Sequence, residues 1–180
     1  FEIIDIDVQS NKVVCVHPIH RCLATTPFPV GFDFGVMTAA YDLPAGTYET
    51  TISRLGGIQN AFTGYDMTSY YVNISKENLS KAMELEADRM RGLKPDPEDM
   101  LKEREVILEE RRMRFEDDPS GKLYENLLAV SYLQHPYRNP VIGYEFDIRK
   151  LTAKQASDLH KAYYVASNMV ISLVGDIDPE

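Results

Sequence analysis

Apolar and polar positions alternate in short blocks along the chain, with no internal repeat. Phe1 to Val8 and Lys12 to Val16 are rich in β-branched residues and bracket the turn-forming Ser10-Asn11, which predicts a hairpin. From Pro18 to Pro44 neither a helical nor a strand period survives among the Pro, Gly, Thr and Phe residues. A short helix is predicted from Thr47 to Leu55, stopped by Gly56-Gly57. Two strands, Gln59 to Thr63 and Thr68 to Ile74, should follow it, joined at Gly64-Tyr65-Asp66. Ser75 offers an N-cap to a helix over 76–91, whose apolar face is marked by Leu79, Met83, Ala87 and Met90 and whose end is marked by Gly92.

Asp96-Pro97-Glu98-Asp99 supplies an N-cap, a proline at the first helical position and acids that suit the positive end of the helix dipole. A second long helix should therefore run to about Glu116. A third should start after Asp118-Pro119, carrying Leu123, Leu127, Val130 and Leu133. After a loop from His135 to Gly143, a helix near 152–164 and a buried strand, Met169 to Val174, are expected. Hairpins and helices interleave without a regular βαβ repeat. The predicted class is α+β, a mixed, mainly antiparallel sheet packed against helices. A length of 180 residues suits one domain, 1–180. The final Gly175 to Glu180 carries a fresh N-cap signal directly after a strand, so the expectation is a domain cut off before another helix.

Charge narrows the partners. With 28 acidic against 19 basic side chains the net charge is -9, a surface that repels phosphate backbones, so nucleic acid is not an expected partner. The stretch from Met169 to Val174 falls far short of the roughly 20 residues a membrane-crossing helix needs, so no membrane span is expected. The first residues have no basic segment and do not read as a secretory signal. Bacterial periplasm, bacterial cytoplasm and an organelle matrix all stay open as compartments. Cys15 and Cys22 could be two thiols or a pair.

The second long helix carries the most information. On a helical wheel Lys102, Glu105, Glu109 and Arg112 form the wet arc. Glu103 and Glu110 share another arc, flanked by Met100 and Ile107 on one side and by Val106 and Met113 on the other. Seven residues make two turns, so the two carboxylates should lie about 10 Å apart along one partly buried stripe. Burying an ionised carboxylate is costly unless a cation or donors meet it. One reading is a salt-bridge network, with Arg114 four residues after Glu110. The other is a metal ligand with a supporting acid.

Longer strings carry a resemblance. GGIQNAFT (Gly56 to Thr63), Asp66, Thr68, Tyr70-Tyr71, LEADRM (Leu85 to Met90), EREVILEERR (Glu103 to Arg112), HPYRNPVIG (His135 to Gly143) and YYVASNMVISLVGDIDPE (Tyr163 to Glu180) resemble the amino-terminal domain of the pitrilysin/insulinase/mitochondrial processing peptidase family. These are the inverted zincins. The resemblance implies a zinc metallopeptidase in which two histidines of a helical HxxEH motif, and a glutamate about 75 residues later, hold the metal. That later glutamate corresponds to Glu110, and Glu103 to a supporting acid. Asn60, Ala61 and Phe62 correspond to an edge strand that holds a peptide or unfolded protein substrate by strand addition. The family also implies a second homologous domain, in cis or in trans, that closes a chamber.

The motif itself is missing. The position 76 residues before Glu110 is Phe34, so the two histidines and the base fall on Val30, Phe34 and Asp33. The four histidines are His17, His20, His135 and His160, and none belongs to HxxEH or HExxH. Pro27, Pro29 and Gly31 would break a motif helix. Cys15, His17, His20 and Cys22 form a CxHxxHxC cluster whose spacing is not that of a standard zinc finger. A catalytic zinc needs three protein ligands, and one carboxylate cannot replace them. Zinc is therefore the family's cofactor but is not expected on this chain as written. His135 reads as a loop-ordering group and His160 as a residue of an amphipathic helix. Three functions compete: a non-catalytic family member, an active zinc endopeptidase whose motif segment is absent from this sequence, and a pure peptide-binding module.

Overall fold

The structure is a computed structural model, and it describes the backbone of residues 12–18 and all atoms of 46–92 and 95–176. The predicted strand over Phe1 to Val8, the motif positions Val30, Asp33 and Phe34, and Cys22 and His20 lie outside the described residues.

Strand β1 (Lys12–Pro18) is followed by α1 (Thr47–Arg54), β2 (Ile58–Thr63) and β3 (Met67–Asn73). A 3₁₀ turn (Lys76–Asn78) leads into α2 (Leu79–Gly92), and α3 (Pro97–Arg111) continues as a π-helical turn (Arg112–Glu116). Then come α4 (Pro119–Ser131), a 3₁₀ turn (Pro136–Arg138), α5 (Glu145–Ile148), α6 (Ala153–Tyr163) and β4 (Val170–Val174). The sheet runs β2-β3-β1-β4, and each of the three pairings is antiparallel. The fold is α+β, and among the described residues β2 is an outer strand.

Local chemistry accounts for the boundaries. Asp96 accepts from the N–H groups of Glu98 and Asp99, and Asp118 from those of Ser120 and Gly121, so both acid-proline caps work as expected. Helix α1 stops where Gly56 takes φ 75°, a left-handed conformation that costs glycine nothing. Gly57 has no room for a side chain, because a Cβ there would lie 2.9 Å from Ile52 Cγ2 and 3.1 Å from the Asn73 carbonyl. Ser75 does not cap with its side chain. The short 3₁₀ turn intervenes, and Ser75 Oγ accepts from Asn78 Nδ2 at 3.1 Å instead.

Two buried clusters pack against one face of the sheet. Tyr48 and Ile52 of α1 pack with Val72, Ile74, Ala82 and Leu85. Tyr70 packs with Met100, Ile107 and Leu108 of α3, Ile142, Ile148 and Leu151, and Ala156, Leu159 and Tyr164 at the α6 end. Residues two apart on a strand share a face, so Tyr70 and Val72 carry β3 through both clusters.

Leu79, Met83 and Met90 of the predicted face of α2 pack partly buried against the cores, but the deepest positions lie beside them. Ala82, Leu85, Glu86 and Arg89 are buried, while Ala87 is exposed. Counting apolar residues alone missed this face because its two charges neutralise each other. Arg89 Nε donates to Glu86 Oε2 at 3.0 Å and Arg89 Nη2 bridges the same oxygen. The Tyr48 hydroxyl donates to Glu86 Oε1, and the guanidinium lies 3.9 Å from the Tyr70 ring centroid. The Tyr70 and Tyr164 hydroxyls are 3.0 Å apart, and His160 stacks on Tyr164 with ring centroids at 5.0 Å. This polar chain joins the two cores.

His160, placed by its sequence on an amphipathic helix, is 7% exposed and its Nε2 is buried without a hydrogen-bond partner. Burial first, then the charges of Arg89 and Lys161, push its pKa down from 6.5 to about 4. Between those two values the unfolded imidazole binds a proton and the folded one does not, so stability should fall as pH drops through that window. Urea midpoints measured across it should therefore decline more steeply in the native protein than in His160→Asn. Parallel slopes would show that the imidazole is not held neutral.

Candidate functional site

Asn60, Ala61 and Phe62 stand in the middle of β2, opposite Tyr71, Tyr70 and Ser69 of β3. Ala61 packs against the larger core cluster, so Asn60 and Phe62 project on the other face, where both are exposed. The hairpin turn fixes which backbone groups point outward. Gly64 N–H bonds to the Met67 carbonyl at 2.8 Å, which sets the phase of the ladder. Alternation then turns Phe62, Asn60 and Ile58 toward β3 and leaves the amides of Thr63, Ala61 and Gln59 on the outer side. Consistent with this, Ala61 N–H donates to Asn60 Oδ1 at 2.8 Å.

The tip of this hairpin is anchored. The Tyr137 hydroxyl donates to both Asp66 oxygens, at 2.7 and 2.6 Å, and the Tyr65 and Tyr137 rings lie 4.6 Å apart. His135 Nδ1 accepts from Tyr137 N–H at 3.3 Å, which is the loop-ordering role its sequence context suggested. Burial, with Tyr124, Tyr132 and Tyr137 close by, lifts the Tyr65 phenol to about 12. A phenol of that pKa stays neutral across the physiological range and holds the tip with β2 in position.

Glu103 and Glu110 sit on α3 two turns apart, both partly buried as the wheel implied. Met100 and Ile107 beside them are buried, but Val106 and Met113 are exposed, so the stripe is open on that side. Burial first and Asp99 second raise the Glu103 pKa. Glu110 is held by Arg114, whose Nη2 lies 2.6 Å from Oε1. Arg114 is the partner that the salt-bridge reading named. Arg111, between them in the chain, is buried and spans two elements: Nη1 donates to the Gly143 carbonyl and Nη2 to Glu125 Oε1, each at 2.8 Å. That arrangement was not legible, since nothing near Arg111 in sequence names either partner.

These residues do not make a zinc site together. Among the described residues no three His, Cys, Asp or Glu side chains converge to hold a metal. Glu110 already faces a guanidinium, His135 belongs to the tyrosine cluster, and His160 stacks inside the core. Among the described residues, Glu110 has no nitrogen ligands of the kind a zinc centre requires.

A profile of the insulinase family (peptidase family M16) matches residues 38–145. The chain belongs to that family. It is 37% identical over 139 residues to the zinc protease PqqE of Helicobacter pylori. That alignment takes in 77% of the chain but 31% of the relative, so the chain spans about a third of that protein's length. Among solved structures, a Helicobacter pylori protease superimposes with a TM-score of 0.85 at 30% identity, covering 93% of this chain and 41% of that one. A Pseudomonas fluorescens structure described as an inactive domain of peptidase M16 superimposes with a TM-score of 0.84. At 17% identity, covering 97% of this chain and 43% of that one, it shows the shared fold alone. The insulinase-family match begins after Phe34, so the stretch that should carry HxxEH lies outside it.

Proposed function

We propose that this chain is a peptide-holding domain of an insulinase-type peptidase that binds extended peptides and carries no catalytic zinc of its own. The observation that supports it most is the position of β2: an outer strand among the described residues, anchored at its tip, with the Ala61 amide turned toward the side where another strand would add. Strand addition needs backbone groups rather than a reactive side chain, and β2 offers such groups. The family's zinc chemistry needs imidazoles that the sequence does not place at Val30 and Phe34.

An active zinc endopeptidase is the second reading. By the sequence resemblance Glu110 corresponds to the family's third zinc ligand and Glu103 to its supporting acid, and the relative named above is called a zinc protease. That reading requires an HxxEH segment between Arg21 and Tyr41 that this sequence does not contain. Because the chain spans a third of that relative, the chamber that encloses a substrate would be completed by a second homologous domain, in cis or in trans. A protein or peptide in extended form is the substrate class that fits the edge.

The test is peptide binding measured by fluorescence anisotropy with chelator present. Native protein should bind, and Ala61→Pro should not, because proline removes the outward N–H from the ladder. Equal binding by the variant would remove β2 from the account.

A further inference from the structure

The outward donor that a peptide needs is already occupied. Ala61 N–H is held by Asn60 Oδ1 at 2.8 Å, a contact between adjacent residues at an exposed position. The outward N–H groups of Gln59 and Thr63 meet no acceptor among the described residues, so the side chain of Asn60 closes the middle of the edge and leaves its ends open.

We propose that Asn60 is a displaceable latch on the β2 edge, whose carboxamide must leave Ala61 N–H before an extended peptide can pair there. This rests on the reading of β2 as the peptide-holding edge and adds its regulation. The latch has a physical rationale beyond binding. An outer strand with a free row of donors pairs with any other strand, including a second copy of itself, and a self-supplied acceptor blunts that tendency. The exchange is close to balanced, because one hydrogen bond to Ala61 is broken as another forms. Asn60 is exposed and faces away from the core, so its amide can swing off without moving packed atoms.

The latch makes a prediction opposite in sign to a direct contact. Asn60→Ser shortens the side chain beyond reach of Ala61 N–H and should tighten binding of a fluorescein-labelled, Val- and Thr-rich unstructured peptide about fivefold, the change that one net hydrogen bond represents. Asn60→Asp should weaken it about fivefold at neutral pH, because a carboxylate holds the amide more strongly. A residue that simply touches the peptide would lose affinity in both variants. Hydrogen exchange without peptide gives a second readout: the Ala61 amide should be protected in the full-length protein and exchange faster in Asn60→Ser.

Ala61→Pro, measured alongside, separates the two readings. Binding lost in Ala61→Pro, tightened in Asn60→Ser and weakened in Asn60→Asp supports the latch. Binding lost in Ala61→Pro but unchanged or weaker in Asn60→Ser overturns the latch and leaves the edge standing. Binding retained in Ala61→Pro overturns both.

Discussion

Gly121→Ala should lower the melting temperature by about 6–12 °C, the fall expected for roughly 3 kcal/mol in a domain of this size. A Cβ at Gly121 would lie 1.8 Å from the Arg114 carbonyl oxygen and 3.0 Å from its carbon. Both are backbone atoms of the π-helical turn, so no side chain can rotate out of the way. Helix α4 would have to lift off that turn, straining the bond from Gly121 N–H to Asp118 that caps it. Because the same turn carries Arg114, the partner of Glu110, the effect should reach the acidic stripe as well. Gly92→Ala is the control. No atom lies within 4 Å of a Cβ there, and the substitution should be neutral or stabilise by up to about 1 kcal/mol through the unfolded chain. Equal melting temperatures for native protein and Gly121→Ala, by calorimetry, would show that α4 does not sit this close to the π turn.

Arg89→Met should destabilise the protein by about 3–5 kcal/mol, because it leaves the Glu86 carboxylate buried without its cation. The loss should exceed what the area of one side chain would suggest, since the guanidinium also lies over Tyr70 and links the two cores. Replacing both charges, as Glu86→Leu with Arg89→Met, should recover much of the stability. Two apolar residues remove the desolvation penalty that either single change exposes. Denaturant titrations of the two single variants and the double would give the coupling. Additive losses would mean that the pair does not act as a unit.

How much of this was legible depends on what each feature needed from the rest of the chain. Helix starts at Asp96 and Asp118 are local chemistry, read from an acid before a proline, and both formed. The β2–β3 hairpin followed from strand-forming residues on either side of Gly64-Tyr65-Asp66. Partial burial of Glu103 and Glu110 came from the helical period alone. The Glu86–Arg89 face of α2 did not, because a search for apolar spacing passes over a stripe that is buried as an ion pair. Helix α4 formed where the sequence placed it, but most of its apolar face stays uncovered. Leu123, Leu127, Val130 and Leu133 follow an apolar helical period, yet Leu123 is 70% and Val130 72% exposed. Periodicity finds an apolar face without finding what covers it. The π turn after Arg111 has no sequence signature, since it depends on how α4 packs back against α3. At the site, the edge role of β2 was implied by resemblance and its outer position is visible in the sheet, whereas the Asn60 contact with Ala61 needed coordinates.

The most direct check is zinc content by elemental analysis of the full-length protein, purified without added metal or chelator. The account predicts zinc far below one per chain, since Val30, Asp33 and Phe34 give Glu110 no imidazole partners. One zinc per chain, retained on dialysis and lost together with peptide cleavage when a chelator is added, would contradict it.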